Sequence, residues 1–133
     1  MACFVVGGGE AIVVSALTHA VKKHEVKQGI IDNEGNQIVP VETSGIAWTR
    51  KLKWLSNMLW GGVALLAIEH IWHGEVVPWY PFLTAMQTPA EVPAMLHEMA
   101  TVGVGMAALV TLTWLVIAFA ADALAKRGAL AQA

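Results

Sequence analysis

The stretch Met99–Ala121, MATVGVGMAALVTLTWLVIAFAA, is apolar throughout and contains no charged side chain. A helix needs about 20 mainly apolar residues to cross the roughly 30 Å of hydrocarbon in a bilayer. Two further segments have this character. One is Ala2–Val21, whose only ionisable side chains are Glu10 and His19, and the other is Trp54–Ile68. The sequence therefore predicts an all-α integral membrane protein with three transmembrane helices.

The composition of the whole chain agrees with this prediction. Of its 133 residues, 56% are hydrophobic and only 14% are charged, whereas soluble domains carry about 25% charged residues. The net charge of -2 excludes a basic nucleic-acid-binding protein, so we expect the lipid bilayer and no nucleic acid as a partner. The single cysteine, Cys3, excludes both an internal disulfide framework and a zinc site built from thiolates.

The positively charged residues predict the orientation in the membrane. Two of them follow the third span, Lys126 and Arg127, and the other six lie between the first and second spans: Lys22, Lys23, Lys27, Arg50, Lys51 and Lys53. Short loops rich in lysine and arginine stay in the cytoplasm. We therefore expect a multi-pass protein of the cell inner (cytoplasmic) membrane, with its N-terminus outside and its C-terminus inside.

These patterns define a single membrane domain over 1–133. We expect transmembrane helices over about 2–21 and 52–73 and a third helix over about 89–125, joined by a cytoplasmic loop over 22–50 and an outer interfacial loop over 74–88. The cytoplasmic loop has β-branched runs on either side of Asp32–Asn36, which predicts a small β-hairpin. Thr88–Glu91 has the pattern of a capping box with Pro89 at the first helical position. This start places His97 and Glu98 inside the third helix.

Ionisable side chains near the apolar segments are the candidates for function. A charge costs roughly 3 kcal/mol or more at the centre of a bilayer, so such residues are usually paired or functional. Glu69 and His73 are four residues apart and share one face of a helix. The expected orientation brings six side chains toward the outer leaflet: Glu10, Glu69, His70, His73, His97 and Glu98.

Imidazole and carboxylate groups suit several chemistries, and the sequence leaves them open. A transition metal or haem b is the candidate cofactor, with ligands drawn from His70, His73, His97, Glu69 and Glu98. Glu10 then either orients those ligands through hydrogen bonds or carries a proton or an ion. The same set could instead relay protons. We expect a small subunit with a histidine and carboxylate site near the extracytoplasmic face of a larger membrane complex. No substrate-binding domain is evident, so a self-standing enzyme is not expected.

Small residues recur at helical spacing in all three spans. Close packing and hydrogen bonds drive helix association in lipid, so these residues mark contact faces. The helix-packing candidates are Gly7, Ala11, Ser15, Gly61, Gly62, Gly103 and Ala107. Such faces predict a homo-oligomer or contacts with other membrane subunits. The alternative functions are therefore a non-catalytic scaffold or anchor for complex assembly, or a homo-oligomeric ion or proton pathway.

In its length and its number of spans, with histidines near one surface, the chain resembles the membrane-anchor subunits of respiratory complexes such as succinate dehydrogenase. The resemblance covers size and topology only. It implies an anchoring role inside a larger complex, and it assigns no residue of this sequence because no ligand motif of that family matches.

Overall fold

The computed structural model describes residues 2–132, and most of them are helical. The α-helices are α1 (Phe4–Lys27), α2 (Val41–Ser44), α3 (Trp48–Trp72), α4 (Val92–Glu98) and α5 (Val104–Gln132). A π-helical turn over Met99–Gly103 joins α4 and α5 into one continuous helix, and a 3₁₀ turn covers Thr84–Gln87. The described residues contain no β-strand and only two isolated antiparallel bridges, Ile31 with Gln37 and Val76 with Leu83.

Two helical segments, instead of the three expected, are long and apolar enough to cross a membrane. They are Phe4–Lys27 and the continuous helix over Val92–Ala131. The helix α3 is not one of them, because its part without basic residues, from Trp54 to Trp72, still contains the polar side chains of Asn57, Glu69 and His70. These polar groups lower its average hydropathy although its centre is apolar.

The hairpin predicted after the first helix is not formed as a pair of strands. The Asp32 carboxylate accepts hydrogen bonds from the backbone N–H groups of Gly35 and Asn36 at 2.7 and 2.8 Å. This closes a tight turn in which Gly35 has a positive φ of 97°. A single bridge, between Ile31 and Gln37, follows. Backbone bonds flank this bridge, from the Asp32 N–H to the Asn36 carbonyl at 2.9 Å and from the Ile38 N–H to the Ile30 carbonyl at 2.8 Å. The pairing ends where Pro40, which has no N–H group, precedes α2.

The helix predicted from residue 89 begins at Val92. The backbone N–H of Glu91 donates to the Thr88 carbonyl at 2.9 Å, so these residues form a turn. No side chain caps the start of α4, and the predicted capping box is therefore wrong. His97 and Glu98 lie in the last turn of α4.

The chain divides into two compact units. Unit 1 consists of the residues up to Ile12 and of Asn57–Val110, and unit 2 consists of Val13–Ser56 and the chain from Thr111 onward. Unit 1 has a small apolar core in which Leu83 and Met99 pack against Ala2, Ala85 and Met95. The apolar side chains buried in unit 2 include Val14, Ile31, Ala47, Leu55, Trp114 and Ala118.

Asp122 of α5 joins three segments of unit 2. Its carboxylate accepts a hydrogen bond from the Lys51 ammonium at 2.8 Å and another from the backbone N–H of Ile46 at 2.7 Å. The indole N–H of Trp114 donates to the Lys51 carbonyl at 2.7 Å. Gly45 has a φ of 72°, and a Cβ atom added to it would lie 2.9 Å from both carboxylate oxygens of Asp122. Only glycine fits this approach.

Glu25 of α1 caps the start of α3 in unit 2. Its buried carboxylate accepts hydrogen bonds from the backbone N–H groups of Trp48 and Thr49 at 2.8 and 3.0 Å and from the Thr49 hydroxyl at 2.6 Å. The first N–H groups of a helix have no partner within the helix and carry partial positive charge. The carboxylate therefore satisfies backbone donors at the start of α3.

Candidate functional site around His70

The His70 imidazole is a buried titratable group in the last turn of α3, with an exposed fraction of 4%. Its Nδ1 atom lies 2.7 Å from the Leu66 carbonyl oxygen. A carbonyl can only accept, so Nδ1 carries the hydrogen and, in the neutral ring, Nε2 has the free lone pair. Phe4 packs edge-on against the ring with a centroid separation of 5.2 Å. These contacts define the orientation of His70 in the structure and favour the tautomer with its hydrogen on Nδ1.

The neighbour of His70 Nε2 is the thiol of Cys3. The Cys3 Sγ atom lies 3.4 Å from Nε2, and Cys3 is buried. A thiol is a weak donor, so the S–H group donates to the Nε2 lone pair. The first turn of α1 and the last turn of α3 thus share a buried thiol–imidazole pair within unit 1.

Two carboxylates contact opposite nitrogens of the same ring. Glu69 Oε2 lies 3.4 Å from Nδ1, and Glu75 Oε2 lies 3.7 Å from Nε2. Glu69 Oε1 also lies 3.6 Å from His73 Nε2. The side chains of Glu69 and His73 are 57% and 63% exposed, whereas that of His70 is 4% exposed. A continuous set of titratable groups therefore leads from an exposed surface to a buried ring.

A Schellman motif at the end of α3 places Glu75 beside His70. Gly74 has a φ of 72°, and its N–H donates to the Ile71 carbonyl at 3.0 Å. The Glu75 N–H donates to the His70 carbonyl at 2.9 Å. These two bonds are the pair that defines this helix terminus, in which glycine adopts the left-handed conformation at little cost. The chain therefore folds back over the last turn of α3.

The π-helical turn brings Gly103 against the start of α1. A Cβ atom added to Gly103 would lie 2.9 Å from Val6 Cγ2 and 3.1 Å from the Cys3 carbonyl oxygen. Short π-helical insertions are frequent at functional sites. Here the turn and the missing side chain allow two helices to approach closely, and this approach holds the backbone of Cys3 in place.

An apolar cavity of about 290 Å³ adjoins Cys3 in unit 1. Its walls are largely aliphatic and include Met58, Leu59, Leu66, Met106 and Val110. Gly62 and Ala107, both predicted helix-packing residues, also line it. The thiol–imidazole pair therefore borders apolar space.

The structure brings together three of the predicted site residues, His70, Glu69 and His73. His97 is exposed in α4 and has no ion pair within the described chain. Glu98 and Glu10 are half-buried, and each takes part in an interaction. Over residues 2–132, no three histidine, cysteine, aspartate or glutamate side chains are grouped closely enough to hold a metal ion.

The predicted helix-packing residues occupy different environments. In unit 1, Ala11 is fully buried. A Cβ atom added to Gly7 would lie 3.3 Å from a methyl group of Val63. In unit 2, the hydroxyl groups of Ser15 and Ser56 lie 3.0 Å apart. An added Cβ on Gly61 would meet no atom within 4 Å.

Two residues of the site, Cys3 and Glu75, are absent from the sequence prediction. Glu75 could have been found, because a glycine directly after an apolar helix predicts a left-handed terminus that turns the next residue back. No local signal connects Cys3 with His70. Their contact joins residues 67 positions apart and depends on how the helices pack.

Comparison of the chain with protein-family models, with curated proteins and with solved structures found no match.

Proposed function

We propose that the chain is a small multi-pass membrane protein in which α1, α3 and the continuous α4–α5 helix each cross the bilayer. The two most apolar helical segments support this, because only 11% and 22% of their apolar windows are buried. The core helix of a soluble protein would be mostly covered by its own chain. Lysine and arginine are missing between Trp54 and Glu98, which supports an outer loop after α3.

We propose further that this protein transfers protons at His70 as a subunit of a larger membrane complex. The observation that carries this proposal is the pair of carboxylates at opposite nitrogens of one buried imidazole, Glu69 at 3.4 Å and Glu75 at 3.7 Å. An imidazole can accept a proton on one nitrogen and release the other proton from its second nitrogen. Relays of carboxylates and histidines are a recurring use of ionisable residues in membrane helices.

Each step of the proposed relay has a donor and an acceptor among the residues around His70. A proton arriving at Nε2 from Glu75 or from the Cys3 thiol makes the ring cationic, and the Nδ1 proton then passes to the Glu69 carboxylate. The partly exposed Glu69 exchanges that proton with His73 or with water. After the transfer the remaining hydrogen is on Nε2. The ring must then turn about its Cβ–Cγ bond to reset, because passing that hydrogen back to Glu75 would cancel the first transfer.

We prefer proton transfer to the metal and haem b alternatives because of the geometry of the donors. Both nitrogens of His70 already have partners, Leu66 and Cys3. The other expected ligand from a separate helix, His97, is exposed. A buried ring with carboxylates on both sides fits a group that exchanges protons better than it fits an open ligand.

Proton flux in liposomes tests the proposal. The protein, purified from its own membrane with any bound subunits, is reconstituted around a trapped pH dye, and the decay of an imposed pH gradient is measured. We expect a flux above that of protein-free vesicles, and we expect His70→Gln to reduce it to the protein-free level. Glu69→Gln and Glu75→Gln should each reduce it in part.

The matched control for this experiment is His97→Gln, which makes the same chemical change at an exposed histidine of α4. We expect it to retain the wild-type flux. Circular dichroism and gel filtration verify that each variant folds. A wild-type flux no greater than that of empty vesicles, or an unchanged flux in His70→Gln, would refute proton transfer at this site.

A second candidate function is anchoring other subunits, and exposed aromatic side chains favour it. Trp72, Trp79 and Tyr80 of unit 1 have exposed fractions of 86%, 61% and 84%. Tryptophan and tyrosine are enriched at protein interfaces and at membrane surfaces. If this loop binds a partner subunit, Trp79→Ala with Tyr80→Ala will lose the subunits that co-purify with the wild type. Unchanged co-purification would refute the anchoring function.

A further inference from the structure

Three lysines at the end of α1 line a second cavity, in unit 2. The cavity has a volume of about 330 Å³, and Lys22, Lys23 and Lys27 line it with Val26 and Asn33. Lys23 and Lys27 are four residues apart and share one face of the helix. Lys22 is half-buried and extends to the turn at Gly35, where an added Cβ would lie 4.0 Å from its ammonium nitrogen. The three lysines therefore lie around one open space, with Lys22 half-buried and Lys23 and Lys27 exposed.

The acidic residues near these lysines form no ion pair with them. The Glu25 carboxylate instead accepts three hydrogen bonds at the start of α3. Asp32 accepts hydrogen bonds from the turn that follows α1. Glu34 is exposed, and none of the three lysines forms an ion pair within the part of the chain that the structure describes.

The helix terminus compensates only part of this charge. The carbonyl end of a helix is equivalent to roughly -0.5 of an elementary charge. Three ammonium groups exceed this terminus alone by about 2.5 charges, and the carboxylates of Glu25, Asp32 and Glu34, although charged, form no ion pair with them. Lys51 shows the contrasting case in the same unit, since its buried ammonium is paired with Asp122 at 2.8 Å. The excess charge at the cavity fits an anion from outside the chain.

We propose that this cavity binds the phosphate headgroup of an anionic phospholipid. The inference uses the membrane placement proposed above and is independent of the proton relay. The three lysines end the apolar helix α1, and this is the level at which lipid phosphates lie when such a helix spans a bilayer. The volume equals that of about ten water molecules, which is ample for a phosphodiester group.

Lipid retention measured by native mass spectrometry tests the site. The full chain is placed in nanodiscs that contain equal amounts of phosphatidylglycerol and phosphatidylcholine, and the retained lipids are counted. We expect the wild type to retain phosphatidylglycerol preferentially. A variant with Lys22→Gln, Lys23→Gln and Lys27→Gln should lose this preference by about tenfold or more, since one lysine near an anionic surface contributes about fivefold to binding.

The matched control removes three other basic residues of unit 2, by Arg50→Gln, Lys53→Gln and Arg127→Gln. These side chains are exposed and do not line the cavity. Both triple variants have the same net charge. We expect the control to stay within about twofold of the wild type, because at physiological salt charges act over only about 8 Å. An equal loss in both variants would show diffuse surface attraction and overturn the proposal.

Two further arms complete the test. A variant in which the three lysines are replaced by arginine keeps the charge and should keep the preference, which separates loss of charge from misfolding. Inorganic phosphate, added to the chain in phosphatidylcholine nanodiscs, should give less thermal stabilisation than phosphatidylglycerol. Equal stabilisation would assign the cavity to free phosphate, and no preference in the wild type would remove the site altogether.

Discussion

The two units use the same kinds of side chain in different ways. In unit 2, Asp122 and Glu25 accept short hydrogen bonds of 2.6 to 3.0 Å, and most of their donors are backbone N–H groups. In unit 1, the carboxylates around His70 lie at 3.4 and 3.7 Å and contact another titratable side chain. Carboxylates that satisfy backbone donors hold segments together, whereas carboxylates beside an imidazole remain able to exchange protons.

This difference predicts where charge removal is costly. Short charge-assisted bonds to a buried partner are strong, and removing one partner leaves an unpaired buried charge. Contacts between partly exposed groups contribute little to stability. We therefore expect that substitution of the carboxylates in unit 2 lowers the free energy of unfolding. Substitution of the carboxylates in unit 1 should instead lower the proton flux.

The largest expected effect is that of Asp122→Ala in unit 2. The Lys51 side chain, which is 6% exposed, would lose its counter-ion, and the Ile46 N–H would lose its acceptor. The cost of breaking a buried ion pair is about 3 to 5 kcal/mol. Denaturant unfolding in detergent, followed by tryptophan fluorescence, measures this loss in the free energy of unfolding.

The control for Asp122→Ala is Glu42→Ala, which removes an exposed carboxylate in α2. It should change the free energy of unfolding by no more than about 0.5 kcal/mol. Adding Lys51→Met to Asp122→Ala should restore part of the stability, because no buried charge then remains unpaired. If Asp122→Ala and Glu42→Ala were equally stable, the carboxylates of unit 2 would not hold its segments together as proposed.

A smaller effect is expected for Gly103→Ala in unit 1. The new methyl group would lie 3.1 Å from the Cys3 carbonyl oxygen, a backbone atom that cannot rotate away. Such overpacking costs roughly 1 to 3 kcal/mol. Because the helices must separate, Cys3 should also react faster with a maleimide, which mass spectrometry detects.

Gly105→Ala is the control for the variant at Gly103. An added Cβ at Gly105 meets no atom within 4 Å, and alanine is favoured over glycine in a helix by about 1 kcal/mol. Stability should therefore be unchanged or increased, and Cys3 should react at the wild-type rate. The close approach at Gly103 would be disproved if both variants behaved alike.

The smallest effect concerns the pH dependence of the turn at Asp32 in unit 2. The backbone N–H of Asn36 holds the pKa of the Asp32 carboxyl below its ordinary value of 3.8. A lowered pKa in the folded state means that ionised Asp32 stabilises the turn above pH 3.8. This stabilisation is lost as the pH falls through the folded-state pKa.

Nuclear magnetic resonance measures this titration at the amide protons of Gly35 and Asn36, which donate to the carboxylate. Their shifts should change with a midpoint below 3.8. Asp32→Asn should remove the titration. A midpoint at or above the ordinary pKa would show that the Asp32 carboxylate does not stabilise the turn through its hydrogen bonds to backbone N–H groups. Asp32 would then differ from Glu25 and Asp122.

The helices were predictable from the sequence, but the connections were less so. Apolar runs identified α1, the centre of α3 and the α4–α5 helix. A long apolar run is a local property of the sequence, and in lipid it must form a helix so that its own backbone groups bond to one another. The expected hairpin is reduced to one bridge because the chain soon reaches Pro40, which has no N–H group, and then α2. The capping box failed since Thr88 uses its backbone carbonyl in a turn.

Part of the His70 site was visible in the sequence for a local reason. Glu69, His70 and His73 lie within two turns of one helix, and their spacing places them close together whatever the rest of the chain does. His97 lies on another helix, so its expected proximity depended on packing, and the structure leaves it exposed.

The sequence alone determined which segments are helical and apolar and where the positive charges lie, since these properties depend on residues close together along the chain. Only the tertiary structure decided that Cys3 contacts His70, that Asp122 pairs with Lys51 and that Glu25 accepts hydrogen bonds from the start of α3. Each of these contacts joins residues more than 20 positions apart, so it depends on the packing of the helices and not on any local pattern.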